Sequence, residues 1–186
     1  MKKIIIFSLI SLVLINTKCT EETVDDDGSS ALDLETNIVL AFSHGINNSV
    51  EFFLGSGSIN ISAGNMHFVG TKTTSGDVDT WTFSTASFTN CDINYRDDLG
   101  SLKTVRLSGE FNLTCVNDKN LKIRTYTITD NVHTVEVVYI GRSFMLTNMN
   151  ITYSLDYNLP KTVSITGTLS TSGVVTNLNY TGPNKN

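Results

Sequence analysis

The amino-acid sequence predicts an all-β fold, a single antiparallel domain of about ten to twelve strands arranged as a barrel or a β-sandwich. Three observations predict it. Long segments alternate strictly between apolar and polar residues, as strands with one buried and one exposed face do. A block of sequence recurs at an offset of 58 residues. Ser, Thr, Asn and Gly are abundant and there are only two prolines, which favours strands and polar turns.

The recurring block indicates an internal duplication. Residues 88–95 correspond to residues 146–153, and residues 103–111 correspond to residues 161–169, both at the same offset of 58. Two matches in one register predict a repeated structural unit, with copies at 88–114 and 146–172. Because short connections favour pairing between neighbouring strands, we expect each copy to be a meander of about four strands.

The alternation within the two copies predicts which side chains are buried. In both copies a glycine, Gly109 or Gly167, stands at an inward position in mid-strand, where glycine indicates a bend or a close backbone approach. Long bent strands are typical of a barrel or a strongly coiled sandwich; a lipocalin-like barrel is an analogy of size and pattern. The residues expected in a common apolar core are Val105, Leu107, Phe111, Val163, Ile165 and Leu169.

The remaining strands are predicted by short apolar runs between turn residues. Residues 31–45 fit either a helix or a strand over 37–43, and the strand is favoured because all later segments are β. Residues 105–115 alternate as one strand. Hairpins are expected between 50–54 and 58–63 and between 121–129 and 132–140, with further strands at 66–71, 80–84 and 174–180.

The N-terminus predicts export. Met1, Lys2 and Lys3 form a positive segment, and residues 4–15 form a short apolar segment. About 12 residues are too few to span a bilayer as a helix, so this pattern is typical of a signal peptide. We expect a signal peptide over 1–18, an acidic solvated tether over 19–30, and one β-domain over 31–186.

Cys19 directly after the apolar segment, followed by an acidic polar run, resembles the start of a bacterial lipoprotein, and the acidic run resembles the surface-export signals of Bacteroidota lipoproteins. The resemblance covers about the first 30 residues. It implies a lipid on Cys19 that anchors the chain to the membrane, in the outer membrane or at the cell surface; two acyl chains anchor a protein stably. Lys18 stands where a small residue is usual, so secretion without lipid is the alternative.

The chain has three cysteines. If Cys19 carries lipid, Cys91 and Cys115 remain, both at inward positions of their strands, and we expect them to form a disulfide in an exported protein. A bulge would be needed, because the expected turn places Cys91 opposite about Asn112. Two buried free thiols are the alternative.

Several classes of function have no support. The net charge is −5, without a basic stripe, unlike a nucleic-acid-binding surface. His44, His67 and His133 do not form a metal-ligand spacing, and neither a nucleophile motif nor a pair of carboxylates is evident. We therefore expect no enzyme, no metal site, no cofactor and no nucleic-acid partner.

Aromatic side chains are the remaining candidates for ligand contact, because they stack against sugars or line apolar cavities. Core packing is the preferred interpretation for those at inward positions, Tyr95, Tyr153 and Tyr157. The full set of candidates is Trp81, Tyr95, Tyr126, Tyr139, Tyr153 and Tyr157.

Together these features predict an envelope-anchored or exported lipoprotein whose non-enzymatic β-domain binds an extracellular or periplasmic ligand or protein. One alternative is a carrier of a small apolar ligand, which requires an enclosed apolar cavity. Another is an adhesive or structural surface subunit, which requires an exposed edge strand.

Overall fold

The computed structural model describes residues 34–63, 65–97 and 99–184. They form one α-helix, a short 3-10 turn and ten strands. The elements are α1 (Leu34–Val50), the 3-10 turn (Glu51–Phe53), β1 (Ser58–Ala63), β2 (Met66–Ser75), β3 (Val78–Arg96), β4 (Leu102–Glu110), β5 (Leu113–Asp118), β6 (Ile123–Asp130), β7 (Val135–Tyr139), β8 (Arg142–Asp156), β9 (Thr162–Thr171) and β10 (Val174–Pro183).

All ten strands belong to one antiparallel sheet. The pairings run from β3 through β4, β7, β8, β6 and β5 back to β3, so these six strands close an antiparallel barrel. β2 and β1 extend the sheet from β3, and β9 and β10 extend it from β8. The predicted all-β antiparallel domain is confirmed.

Two of the predicted connections are different in the structure. β4 and β5 pair with successive parts of the same edge of β3, and β6 and β7 pair with successive parts of the same edge of β8. The strand predicted over 105–115 is therefore divided at residues 111–112. The hairpin predicted between 121–129 and 132–140 is wrong, because both segments pair with β8. Such breaks allow long strands to bend sharply.

The two copies of the repeat share the same backbone irregularities. Asn90 and Asn148 have φ of 47° and 48°, and each lies where the ladder to the next strand shifts register. Gly109 and Gly167 have φ of 139° and 129°. A Cβ at Gly109 would collide with Thr134 O, just before β7, and one at Gly167 would collide with Asn150 O of β8. The close backbone approach expected at these glycines is confirmed. The expected meander of consecutive strands is wrong in its connections, because β5 pairs with β3 and not with β4, and β7 pairs with β4 and β8 and not with β6.

The copies differ in the register of the hairpin that follows the bulge. Val105 pairs with Ile93 in the first copy. In the second copy the corresponding Val163 pairs with Leu155, four residues beyond Ile151, the counterpart of Ile93. A slip by an even number of residues keeps every side chain on its original face. The second copy therefore changed its pairing without exposing its apolar side.

The expectation of a strand at 37–43 is wrong, because this segment lies within α1. Twelve of the 17 helix residues are buried, so the helix is covered on most sides. The hairpin predicted between 50–54 and 58–63 is also wrong. Residues 50–54 contain the last residue of α1 and the 3-10 turn, so β1 pairs with β2 instead. Tertiary burial decided the outcome for a segment whose local preference was ambiguous.

α1 packs against the inner faces of β3, β4, β9 and β10. The Phe42 ring makes edge contacts with Phe111, at 4.8 Å between centroids, and with Phe88, at 6.2 Å. The helix thus occupies the interior that the curved sheet encloses. The residues predicted to share that apolar core are all buried, at 3% exposure or less: Val105, Leu107, Phe111, Val163, Ile165 and Leu169.

The predicted disulfide is wrong. Cys91 pairs with Leu107, whereas Cys115 pairs with Trp81, which precedes Cys91 by ten residues on the same strand. Ten residues of strand, at up to about 3.3 Å each, separate the two positions by much more than the roughly 7 Å between Cα atoms that a disulfide allows. Both are buried free thiols. Burial raises the pKa of Cys115 to about 12, which makes this thiol unreactive.

The predicted signal peptide, Cys19 and the acidic tether lie outside the described residues. Among the residues that are described, no helix combines the length and the apolar character needed to cross a membrane.

If α1 fills the core, truncating its central aromatic side chain should unfold the domain readily. We expect Phe42→Ala to lower the free energy of unfolding by about 3–5 kcal/mol, the usual cost of removing a buried phenylalanine. Urea denaturation followed by circular dichroism measures it. Leu34→Ala is the control on the same helix, since Leu34 is 37% exposed, and should cost about 1 kcal/mol or less. Equal losses in the two variants would contradict a core position for α1.

Candidate functional site

The six predicted ligand-contact aromatics do not form one surface. Trp81, Tyr95 and Tyr139 are buried in the core; among these three, core packing is the preferred interpretation for Tyr95. Tyr126, Tyr153 and Tyr157 come together near the C-terminal end of α1. Tyr126 and Tyr153 are buried there, and Tyr157 is half-buried.

A cleft of about 160 Å³ opens between the end of α1, the end of β8 and the loop after it, and the residue after β10. Its helix side is polar because four residues at helical spacing face it. Most of its remaining side chains are also hydrogen-bonding groups. The lining residues are His44, Asn47, Asn48, Glu51, Tyr153, Leu155, Tyr157, Lys161 and Asn184.

Arg124 of β6 holds the floor of this cleft together. Its side chain is only 12% exposed. Its Nη1 lies within hydrogen-bonding distance of three acceptors, which share its two hydrogens: Tyr157 Oη (2.9 Å), Asn47 Oδ1 (3.2 Å) and Glu51 Oε1 (3.2 Å). Its Cζ atom also lies 5.1 Å from the centroid of the Tyr157 ring, which is within cation–π range. One guanidinium therefore fixes a phenol, an amide and a carboxylate at the same site.

Tyr126 extends this network into the core. Its hydroxyl donates to Asn47 Oδ1 at 2.8 Å, so that oxygen accepts from both Tyr126 and Arg124. The Asn47 Nδ2 group then donates to Glu51 Oε2 at 3.3 Å. Because the donors on one side of the amide are fixed, its NH₂ group is held toward the solvent side of the helix.

Burial shifts the pKa values of two side chains in the cleft, His44 and Tyr157. Burial lowers the pKa of His44, more than nearby Glu51 raises it, so the ring is neutral at pH 7. Its Nε2 lies 2.8 Å from Asn48 Nδ2. Burial also raises the pKa of Tyr157, although Arg124 opposes that shift. The cleft therefore offers neutral donors and acceptors together with the charges of Glu51, Arg124 and Lys161.

The cleft presents hydrogen-bonding groups to a ligand. Among the described residues that line it, one is a carboxylate, Glu51, whereas glycoside cleavage uses two. Glu110, Glu136 and Glu51 do not meet at one place: Glu136 accepts from Ser143 Oγ, at 2.6 Å, and Glu51 pairs with Arg124. Among the described residues, three or more His, Cys, Asp or Glu side chains nowhere cluster as a metal site would need.

A second charged cluster closes the break between β6 and β7. Asp130 is fully buried and accepts hydrogen bonds from the backbone N–H groups of Asn112, Val132 and His133, at 2.8–2.9 Å, and from His133 Nδ1, at 2.8 Å. His133 Nε2 lies 3.9 Å from Glu110. These hydrogen bonds replace the backbone ladder that is interrupted between β6 and β7, so the cluster has a structural role.

A second, more open groove of about 310 Å³ lies on the outer face, near Phe83 and Leu113. Few charged groups converge there, and its polar groups are hydroxyls and an amide. Threonines form a row across consecutive strands beside it, each the Cα partner of the next: Thr71, Thr82, Thr114, Thr127, Thr152 and Thr166.

Sequence reasoning missed Arg124, Asn47 and Glu51. Arg124 carries a detectable signal, because it shares the inward parity of Tyr126 and Ile128, where a charged residue needs a buried partner. The helix residues repeat at i, i+3, i+4 and i+7 from His44 to Glu51. That polar stripe is readable only when the segment is taken as a helix.

No protein-family model, curated protein or solved structure matches this chain. Its class is therefore set by its own geometry: an antiparallel β-domain filled by a helix, with a polar cleft at the end of that helix.

The Asp130–His133 pair should make stability depend on pH. The hydrogen bond to Asp130 raises the pKa of His133 above its ordinary value of 6.5. Its contribution is therefore complete below pH 6.5 and is lost as the pH rises through the raised value. Burial alone would raise the pKa of Asp130, but bonds from His133, Val132 and Asn112 lower it. That contribution is lost only as the pH falls below 3.8.

We expect His133→Gln to lower the melting temperature more at about pH 5.5 than at about pH 8.5. Thermal unfolding followed by circular dichroism at both pH values measures the difference. His44, whose lowered pKa acts in the opposite direction, is present in both proteins and cancels in the comparison. His67→Gln, at an exposed position of β2, is the matched control. A loss independent of pH would contradict this assignment.

Proposed function

We propose that this chain is a non-enzymatic binding protein, exported and anchored through Cys19 in the outer membrane or at the cell surface, whose cleft binds a small hydroxylated ligand of the saccharide class. The N-terminal signal pattern and acidic tether support the location. The lining of the cleft supports the ligand class, because amides, a carboxylate and a phenol pair readily with hydroxyl groups.

The observation that carries the binding role is the Arg124 clamp. Four hydrogen-bonding side chains, Asn47, Glu51, Tyr126 and Tyr157, are held in one network around a buried guanidinium. A site that is ordered before the ligand arrives does not spend binding free energy on ordering its side chains. The exposed groups Asn48 and Lys161 and the half-buried Asn184 then complete the rim.

The carrier alternative has less support. A carrier of a small apolar molecule requires an enclosed apolar cavity, and α1 occupies the interior of this sheet with Ile38, Phe42 and Ile46, each 0% exposed. The cleft itself is lined mainly by polar side chains. An adhesive or structural surface subunit is the second candidate, and the unpaired edge of β10 favours it.

Saccharide binding should map to the cleft. We expect glucose, N-acetylglucosamine or glucuronic acid to shift backbone amide resonances of residues 44–51, 153–161 and 184 in ¹H–¹⁵N spectra. At about 0.3 kcal/mol per non-hydrogen atom, a monosaccharide of about 12 such atoms should bind with a Kd on the order of millimolar.

Substitution at the rim tests the same assignment. Asn48→Ala combined with Lys161→Ala should weaken binding about tenfold or more, since two hydrogen bonds of about 1 kcal/mol each are removed. Lys122→Ala, an exposed lysine that does not line the cleft, should bind like the unmodified protein. Absence of shifts with all three sugars, or shifts confined to other strands, would contradict a saccharide-binding cleft.

The anchor is testable by mass. Intact-mass analysis of the mature protein should give a chain beginning at Cys19 with added acyl groups, and Cys19→Ser should release the protein from the membrane fraction. A mature chain without acyl mass would show that the protein is secreted without lipid, and would leave the cleft proposal unaffected.

A further inference from the structure

The C-terminal hairpin differs from the rest of the chain in charge. Residues 162–184, which contain β9 and β10, include no Asp, Glu, Lys, Arg or His, although 17% of the whole chain is Asp, Glu, Lys or Arg. The chain is acidic overall, at −5. Two copies therefore repel each other least where these two strands face one another.

Among the described residues, β10 pairs with β9 alone, over ten residues in one uninterrupted register, and no described strand covers its outer edge. Edge strands are normally protected by charged side chains, bulges, prolines or short length. β10 has none of these within residues 174–182; Pro183 stands at its last position. Val174 and Val175 are 66% and 69% exposed.

The hydrogen-bonding pattern identifies which backbone groups are outward. Asn184 N donates to Lys161 O at 3.1 Å, so Asn184 and every second residue before it bond to β9. In an antiparallel ladder the alternate residues point away from the partner strand. The N–H and C=O groups of Val175, Asn177, Asn179 and Thr181 therefore form the free edge.

We propose that this edge pairs with the same edge of a second copy of the chain, antiparallel about a two-fold axis at Leu178. In this register Val175 faces Thr181 of the second copy, and Asn177 faces Asn179. Each of the four outward N–H groups then finds a carbonyl. Pro183, which has no N–H, falls outside the paired segment. A register centred one residue later, at Asn179, would place Pro183 opposite Val175 and lose one hydrogen bond.

A second copy is the occupant that these features favour. An uncharged edge does not select a charged partner strand, and a two-fold contact closes after two copies. The other free edge, β1, has only six residues, so β10 provides the longer ladder. Leu178, which is 4% exposed, would lie at the axis with its side chain in the core of each copy. This inference does not depend on the cleft.

The dimer is expected to be weak, because a single strand-to-strand contact is at the low end of interface size, below about 1,200 Å². Sedimentation equilibrium of the purified protein between about 1 μM and about 1 mM should show a monomer–dimer equilibrium with a Kd above about 1 μM. A monomer throughout this range, or assembly beyond two copies, would overturn the proposal.

Charge placed on the edge tests the register. Val175→Lys with Thr181→Lys sets like charges opposite each other twice and should weaken the dimer at least tenfold. Thr82→Lys with Asn150→Lys, two exposed positions on inner strands, is the matched control and should dimerise normally. A control that loses the dimer equally, or an edge variant that keeps it, would place the contact elsewhere.

Mixing restores the contact if the register is correct. A Val175→Glu, Thr181→Glu variant should remain monomeric alone, and it should form a one-to-one complex with the lysine variant, since 175 faces 181 across the axis. Circular dichroism of each variant establishes that the fold is intact. Failure of the two folded variants to associate would rule out this register.

Discussion

The fold depends on burying α1 inside a bent sheet. Antiparallel strands of up to 19 residues curve strongly, and a curved sheet encloses space that side chains of the strands alone do not fill. Phe42 enters this space and contacts Phe88 and Phe111, one from each side of the first repeated hairpin. Because the interior is occupied, the surfaces left for binding are the end of the helix, the outer face of the sheet and its free edge.

The position of the cleft follows from this constraint. The middle of α1, from Ile38 to Phe42, is apolar, but its last turns carry His44 and Asn47, which need hydrogen-bonding partners once the helix is enclosed. Arg124 provides a hydrogen-bonding partner from the inward face of β6, and its guanidinium is itself paired with Glu51 and Tyr157. A largely buried guanidinium is costly unless its donors are used; the Nη1 group of Arg124 is used, whereas its Nε has no hydrogen-bond partner among the described residues. The hydrogen bonds that satisfy the polar end of α1 in the core therefore also order the side chains of the cleft.

The sequence predicted those features that depend on side-chain parity, and failed where tertiary contacts replaced local rules. Alternation correctly placed Val105 and Val163 in the core, and it located both mid-strand glycines. It failed for the helix, since residues 31–45 fit either a helix or a strand and the strand is favoured because all later segments are β. It also failed at Asp130, whose carboxylate takes over backbone bonds that a continuous strand would have made. In the site, Tyr157 was foreseen, whereas Arg124 was missed because its partners are distant in sequence.

The internal duplication explains why one edge of the sheet remains open. In the first copy the chain passes Gly109 and continues through Leu113 into β5, so β6 and β7 can cover its whole length. In the second copy the chain turns back at Ser172 and Gly173, which have φ of 49° and 90°, as the two central residues of a tight hairpin require. The strand made by that turn, β10, covers β9, and none of the described strands covers β10. In a repeated structure each unit covers the edge of the unit before it, and the outer edge of the last unit needs another partner. The same surface of another copy is the simplest partner for β10, since that surface is uncharged, regular and complementary to itself.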